Sequence, residues 1–154
     1  MARARGFTLV ELVVVIVLLG VLAAVALPRL EAASGLRADA YRDSVVAGLR
    51  LAQSTALGHR RLVCVSFSSG AMALRIAAAN PASACSADLS GPDGSAAWAT
   101  PPSGTSMTGS PSTSLFFRPD GSVGSTASSA ATDFSLTPTG LSAITVRGAN
   151  GVVR

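Results

Sequence analysis

The amino-acid sequence predicts an α+β fold, in which one long N-terminal helix precedes an antiparallel β domain. Residues 7–27 form a mainly apolar run that is long enough for a membrane-spanning helix. Residues 28–59 are rich in helix-forming Ala, Leu and Arg and place apolar side chains at helical spacing. Residues 60–154 break into short runs with β-strand character, separated by turns rich in Gly, Pro and Ser.

The apolar run predicts that the chain is anchored in a membrane. A helix over Phe7–Leu27 would be about 30 Å long at about 1.5 Å per residue, which matches the hydrocarbon core of a bilayer. Arg3 and Arg5 precede the run and should stay on the cytoplasmic side, so that the rest of the chain is exported. The alternative is a secretory signal cut after its apolar core, where the alanines within residues 23–26 would imitate the cleavage site.

The second half of the helix should be amphipathic. Pro28 is expected to break or kink the helix, because it lacks a backbone donor and its ring clashes with the preceding turn. Beyond it, the helix should pack on the exported domain through one apolar face and end near Gly58. The residues expected on that face are Leu36, Ala40, Val45, Leu49, Ala52 and Ala56.

The β domain is expected to contain short strands joined by turns. Residues 68–70 (Ser-Ser-Gly) and 119–121 (Pro-Asp-Gly) are turn sequences that follow β-prone runs. Residues 80–111 read as a long loop with room for one short strand, in which Trp98 is the one large anchor, and residues 125–129 read as exposed low-complexity sequence. The expected strands cover residues 61–67, 71–77, 115–118, 134–136, 143–147 and 152–153.

Two cysteines, Cys64 and Cys85, are present, and they do not form a C-x-x-C pair. One histidine cannot complete a zinc site with them, so no metal site is expected. In an oxidising compartment the two would form a disulfide that stabilises the domain by about 3 kcal/mol in the chain-entropy model. The alternative is two buried free thiols.

The charge pattern argues against several classes of function. Without Arg3 and Arg5, ten of the twelve basic residues remain against eight acidic residues, and this small excess favours no nucleic-acid partner. His59, Arg60 and Arg61 form the one dense basic cluster outside the first residues, which is typical of a solvated helix end. The alternative is a DNA contact made by Arg60, Arg61, Arg118 and Arg147. No nucleophile motif or phosphate loop is present, so neither an enzyme nor a cofactor is expected.

The first residues resemble the N-terminus of type IV prepilins and type II secretion pseudopilins. The resemblance rests on a short basic leader, Gly6, Phe7, a glutamate at position 11 and the long apolar run. It implies that a prepilin peptidase of the bacterial inner membrane removes residues 1–6 by cleaving between Gly6 and Phe7, and that Phe7 is then N-methylated. The helix would remain in the membrane lipid, with a periplasmic C-terminal domain, until the subunit enters a fibre.

The position of Glu11 gives a physical reason to expect assembly. Placing a carboxylate inside an apolar span costs roughly a few kcal/mol or more on membrane-insertion scales. The carboxylate should therefore find a partner. In a fibre, the partner would be the α-amino group of Phe7 on a neighbouring subunit, which exists only after cleavage. Their pairing in a low-dielectric bundle would offset both desolvation penalties and fix the register between subunits. The alternative is that Glu11 lies near the membrane surface and is hydrated.

Three later segments resemble H-type minor pseudopilins and related minor pilins. Residues 44–67 resemble their helix-to-strand junction, residues 116–123 a late strand and turn, and residues 144–154 the final hairpin. The RRLVCV stretch resembles in particular the minor pilin of mannose-sensitive-haemagglutinin-type pili. The resemblance implies two small antiparallel sheets, and a minor subunit that joins other pilins or pseudopilins at the tip or in the priming complex of a type IV pilus or type II secretion pseudopilus. A DNA-binding minor pilin for DNA uptake is the alternative.

Overall fold

The structure, a computed structural model, describes residues 8–154, except for the side chains of residues 25–34. The chain divides into two compact units, one ending at Leu36 and one covering Arg37–Arg154. The expectations for Gly6 and Phe7, and for the leader of residues 1–6, lie outside the described residues.

The first element is helix α1, Leu9–His59. It continues through Pro28 as one helix, without the break that the sequence allowed, and the kink that was the other expected outcome stays a prediction. A proline inside a helix removes one backbone hydrogen bond and costs about 3 kcal/mol, yet the hydrogen bonds on both sides can continue. The end at His59 agrees with the stop expected near Gly58.

The N-terminal unit presents an apolar surface. Every described side chain from Thr8 to Ala24 is exposed, and most of them are Leu, Val or Ile. Within the described part of the chain, no helix is both long enough and apolar enough to span a membrane. The expected span of residues 7–27 lies partly outside the description, since it includes Phe7 and the side chains of residues 25–27.

The compact unit of residues 37–154 contains two antiparallel sheets, which confirms the predicted α+β fold. The larger sheet has the order β3-β2-β1-β6-β7, with β4 also paired to β2, and the smaller sheet has the order β5-β8-β9. The strands are β1 Val63–Ser68, β2 Ala71–Ile76, β3 Ala87–Leu89, β4 Ala97–Ala99, β5 Met107–Ser110, β6 Ser114–Phe117, β7 Val123–Gly124, β8 Phe134–Pro138 and β9 Ile144–Val146.

The hairpin of β1 and β2 closes through a two-residue turn. Ser68 pairs with Ala71, and the intervening Ser69 and Gly70 have φ angles of 48° and 82°. Positive φ at both central residues is the feature of a type I′ turn, whose twist matches that of the strands. The expected turn at residues 68–70 is therefore confirmed.

One face of α1 forms the centre of the core. It packs with buried residues of both sheets, including Leu74, Phe117, Phe134 and Leu136. Leu36 and Ala40, which were expected on this face, are exposed. The step of five residues from Ala40 to Val45 turns an α-helix well past one full turn, whereas steps of three and four keep to one face. The buried face consists of Tyr41, Val45, Leu49, Ala52 and Ala56.

Candidate assembly site and basic residues

The N-terminus of α1 is capped by Thr8. The backbone N–H of Glu11 donates to Thr8 Oγ1 at 3.3 Å, and the N–H of Leu12 donates to the Thr8 carbonyl at 3.2 Å. A threonine followed three residues later by a glutamate is the sequence of a capping box, in which the threonine satisfies an otherwise unpaired N–H group. Sequence reasoning assigned a role to Glu11 but overlooked this cap, although the T-x-x-E spacing was a signal for it.

The cap places Glu11 in the first turn of the helix. The partial positive charge of a helix N-terminus favours a carboxylate there. The Glu11 side chain is exposed in the single chain, so it is accessible to a second subunit. Its expected partner, the α-amino group of Phe7, belongs to residues outside the description, and the pairing stays a prediction.

A disulfide joins Cys64 on β1 to Cys85, which lies two residues before β3. The two Cα atoms are 6.0 Å apart, and 21 positions separate them in sequence. The bond attaches the irregular segment after residue 77 to the first strand of the larger sheet. It therefore holds β3 close to its pairing partner, β2.

Trp98 fixes the other part of the irregular segment to α1. Its Nε1–H donates to the carbonyl of Ser44 at 3.0 Å. The indole lies over the buried Gly48, where an added Cβ atom would be 2.5 Å from Trp98 Cδ1. Only glycine therefore allows the indole to approach the helix this closely.

Tyr41 connects α1 to the β1–β2 hairpin. Its hydroxyl donates to the carbonyl of Gly70, the second residue of the turn. Burial in the core raises the pKa of Tyr41 to about 12, because the charged form is poorly solvated there.

Arg118 is used inside the domain and does not belong to an open basic surface. Its guanidinium donates to the carbonyls of Ala127 at 2.8 Å, Thr126 at 3.3 Å and Ser129, and to Ser122 Oγ at 3.0 Å. It thereby organises the low-complexity loop, whose residues are partly buried and not uniformly exposed as expected. An arginine with five N–H donors suits such a loop, since the serine and alanine side chains supply little packing.

The remaining basic candidates lie at two places in the chain, the end of α1 and the end of β9. His59, Arg60 and Arg61 are exposed at the C-terminal end of α1. Arg60 has a φ angle of 52°, and the N–H of Arg61 donates back to the Ala56 carbonyl at 3.2 Å, which closes the helix end. Arg147 is exposed directly after β9. Within residues 8–154, these four side chains form no hydrogen bond with one another.

Within residues 8–154, no group of three or more His, Cys, Asp or Glu side chains is placed to hold a metal ion. Arg75 and Asp88 pair at 2.7 Å across β2 and β3, on the surface of the larger sheet. Exposed pairs of this kind stabilise a fold by about 1 kcal/mol at most.

Comparisons with known proteins bear on both ends of the chain. The prokaryotic N-terminal methylation motif matches residues 1–27, and the type II transport protein GspH matches residues 42–151. The type IV narrow pilus major component PilA5 of Thermus thermophilus is 43% identical over 54 residues, which cover 35% of this chain and 47% of that protein. The chain therefore matches about half of the length of this curated relative. No solved structure matches the chain.

The matches bear on the processing, anchoring and assembly of the chain. The N-terminal motif implies processing by a prepilin peptidase, anchoring in a membrane and assembly with other pilins or pseudopilins. The two family matches and the pilus relative point to structural pilin or pseudopilin proteins. Because the GspH match extends over more than half of the chain, the chain belongs to the GspH family of type II transport proteins, as a pilin or pseudopilin subunit.

Proposed function

We propose that this chain is a minor subunit that enters the tip or priming complex of a type IV pilus or type II secretion pseudopilus. The observation that carries the proposal is the presence, in one chain, of the methylation motif in residues 1–27 and the GspH match in residues 42–151. The methylation motif supports a processed membrane anchor, and the GspH match supports an exported domain like that of type II secretion pseudopilins.

The proposed assembly step uses Glu11. After cleavage between Gly6 and Phe7, the new α-amino group carries a positive charge next to the positive end of the helix, where a cation is disfavoured. Glu11 of a neighbouring subunit would neutralise this charge, and the pair would be stabilised by the low dielectric of a helix bundle. The Thr8 cap supports this step, because it fixes Glu11 in the first turn of the helix, where its exposed side chain is open to a partner.

The testing experiment replaces Glu11 by alanine in cells that lack the chromosomal gene. We expect Glu11→Ala to insert and to be cleaved normally, which mass spectrometry of the membrane fraction would show as a chain beginning at methylated Phe7. The subunit should nevertheless be absent from sheared fibres and should fail to restore fibre function. The matched control is Glu31→Ala, which removes the other glutamate of the chain and should assemble.

The same strains also separate the two fibre systems. Loss of protein secretion without loss of surface pili would indicate a pseudopilus, and the reverse would indicate a pilus. Full restoration of function by Glu11→Ala would contradict the proposed pairing.

A further inference from the structure

A cleft with both polar and apolar lining opens on the solvent face of the smaller sheet. Its volume is about 480 Å³, which lies within the range of small-molecule sites. Its lining includes Phe134 and Val146, whose side chains are buried. Its polar lining consists of Ser110, Asp133, Ser135, Thr145 and Arg147.

Three of these residues form a row across the sheet. Ser110 of β5 pairs with Ser135 of β8, and Ser135 pairs with Thr145 of β9. Residues that are directly opposite in an antiparallel sheet point to the same face. Their sequence neighbours Phe134, Leu136 and Val146 are buried, so the row itself points to solvent from a rigid support.

The polar groups of the cleft are largely unused by the protein. Within residues 8–154, the hydroxyls of Ser110, Ser135 and Thr145 make no intramolecular hydrogen bond, and neither does the Arg147 guanidinium. Asp133 Oδ1 accepts the N–H of Gly148 at 2.8 Å, which orients the carboxylate and leaves its other oxygen available. The cleft thus combines free donors and acceptors at fixed spacing.

The charges of the lining favour a neutral ligand. Asp133 would repel an anion and Arg147 would repel a cation, whereas a group with several hydroxyls can accept from Arg147 and donate to Asp133. Arg154 follows Thr145 in the same row and pairs with its backbone at 2.8 and 2.9 Å, but it does not line the cleft. We propose that this cleft binds a neutral saccharide unit, whose hydroxyls contact the Ser110–Ser135–Thr145 row between Asp133 and Arg147.

The experiment uses the full ¹⁵N-labelled chain in micelles of a detergent without a sugar headgroup. Maltohexaose, cellohexaose and chitohexaose are titrated separately, and amide chemical shifts are followed. We expect at least one of them to shift the amides of Ser135, Thr145 and Gly148. Thr145→Val and Arg147→Gln should each weaken that binding by about fivefold, as expected for the loss of one hydrogen bond.

The matched control is Thr137→Val, since Thr137 lies on β8 two residues from Ser135, on the same face, but does not line the cleft. It should leave the affinity unchanged within about twofold. The proposal is overturned if no neutral saccharide shifts these amides, or if both cleft variants bind as the wild type does. It is also overturned if only trigalacturonate or a short DNA duplex binds, because an anion would then be the ligand.

Discussion

At the scale of single residues, the burial of the Tyr41 phenol can be tested by its titration with pH. It is the one tyrosine of the chain, and burial raises its pKa from 10.0 to about 12. The folded chain therefore holds the phenol proton more tightly than the unfolded chain does. The resulting stabilisation is fully present below about pH 10 and is lost as the pH rises toward 12.

We predict that the tyrosinate absorbance of the folded chain rises with a midpoint near 12, whereas the midpoint in urea lies near 10. The chain contains no lysine, so no ammonium side chain titrates in this window. Tyr41→Phe should remove the pH dependence of unfolding above pH 10. It should also destabilise the neutral protein by about 1–3 kcal/mol, because the buried Gly70 carbonyl loses its donor. A folded-state midpoint near 10 would show that Tyr41 is hydrated.

Gly48 offers a second test at this scale. We predict that Gly48→Ala lowers the free energy of unfolding by about 2 kcal/mol, because the new methyl group would overlap the indole of Trp98. Urea unfolding followed by the fluorescence of Trp98, the only tryptophan, measures the effect. The matched control is Gly58→Ala in the same helix, where no atom lies within 4 Å of an added Cβ and a gain of up to about 1 kcal/mol is expected. Equal effects of the two substitutions would contradict the close contact.

At the scale of elements, the disulfide determines how firmly β3 is held. We predict that Cys64→Ser with Cys85→Ser lowers the free energy of unfolding by about 3 kcal/mol. Amide exchange should accelerate most in β3, which has three residues and no other covalent attachment nearby. In β8, which belongs to the other sheet, exchange should follow only the global change.

Thiol alkylation after denaturation, without reductant, supplies the direct measurement. The wild-type chain should take up no label before reduction and two labels after it. Two labels before reduction would mean that the pair is not oxidised in the cell, and the tether of β3 would then be absent.

The elements that sequence reasoning recovered are those with strong local signals. The strands β1, β2, β6, β8 and β9 contain Val, Ile, Leu or Phe in alternation and lie next to evident turns. By contrast, β3 (Ala-Asp-Leu), β4 (Ala-Trp-Ala) and β5 (Met-Thr-Gly-Ser) are short and contain no alternating run of β-branched or aromatic residues, so their local preference for a strand is weak. They exist because β2 and β8 offer free edges, which is tertiary information.

The same contrast explains the errors along the helix. Composition predicted the helix and its end, but it could not decide whether Pro28 breaks the helix. Periodicity assigned Ala40, in place of Tyr41, to the buried face. Hydrophobic periodicity alone distinguishes poorly between an alanine and a partly polar aromatic residue such as Tyr41. The Gly70 carbonyl that Tyr41 binds is 29 residues away and is not visible in the helix sequence.

At the scale of the whole molecule, the two candidate sites differ in how far sequence could define them. The assembly site is local, since residues 6–11 carry its whole motif, and it could be predicted without a fold. The alternative DNA contact combined arginines from distant parts of the sequence, namely Arg60, Arg61, Arg118 and Arg147. The Arg118 guanidinium is bound within a loop, Arg60 and Arg61 lie together after the end of α1, and Arg147 follows β9.

This arrangement leads to a prediction about DNA. We expect the full chain in micelles to show no duplex DNA binding at physiological salt, because its twelve basic residues exceed its eight acidic residues by only four and Arg147 lies far from Arg60 and Arg61 in sequence. Fluorescence anisotropy of a labelled duplex at about 20 and 150 mM salt measures this, since phosphate contacts produce a steep salt dependence. Arg60→Ala with Arg61→Ala tests the helix end, and Arg50→Ala, an exposed arginine earlier in α1, is the control. Micromolar binding at 150 mM salt that the double substitution abolishes and the control retains would favour the DNA-uptake alternative over a purely structural subunit.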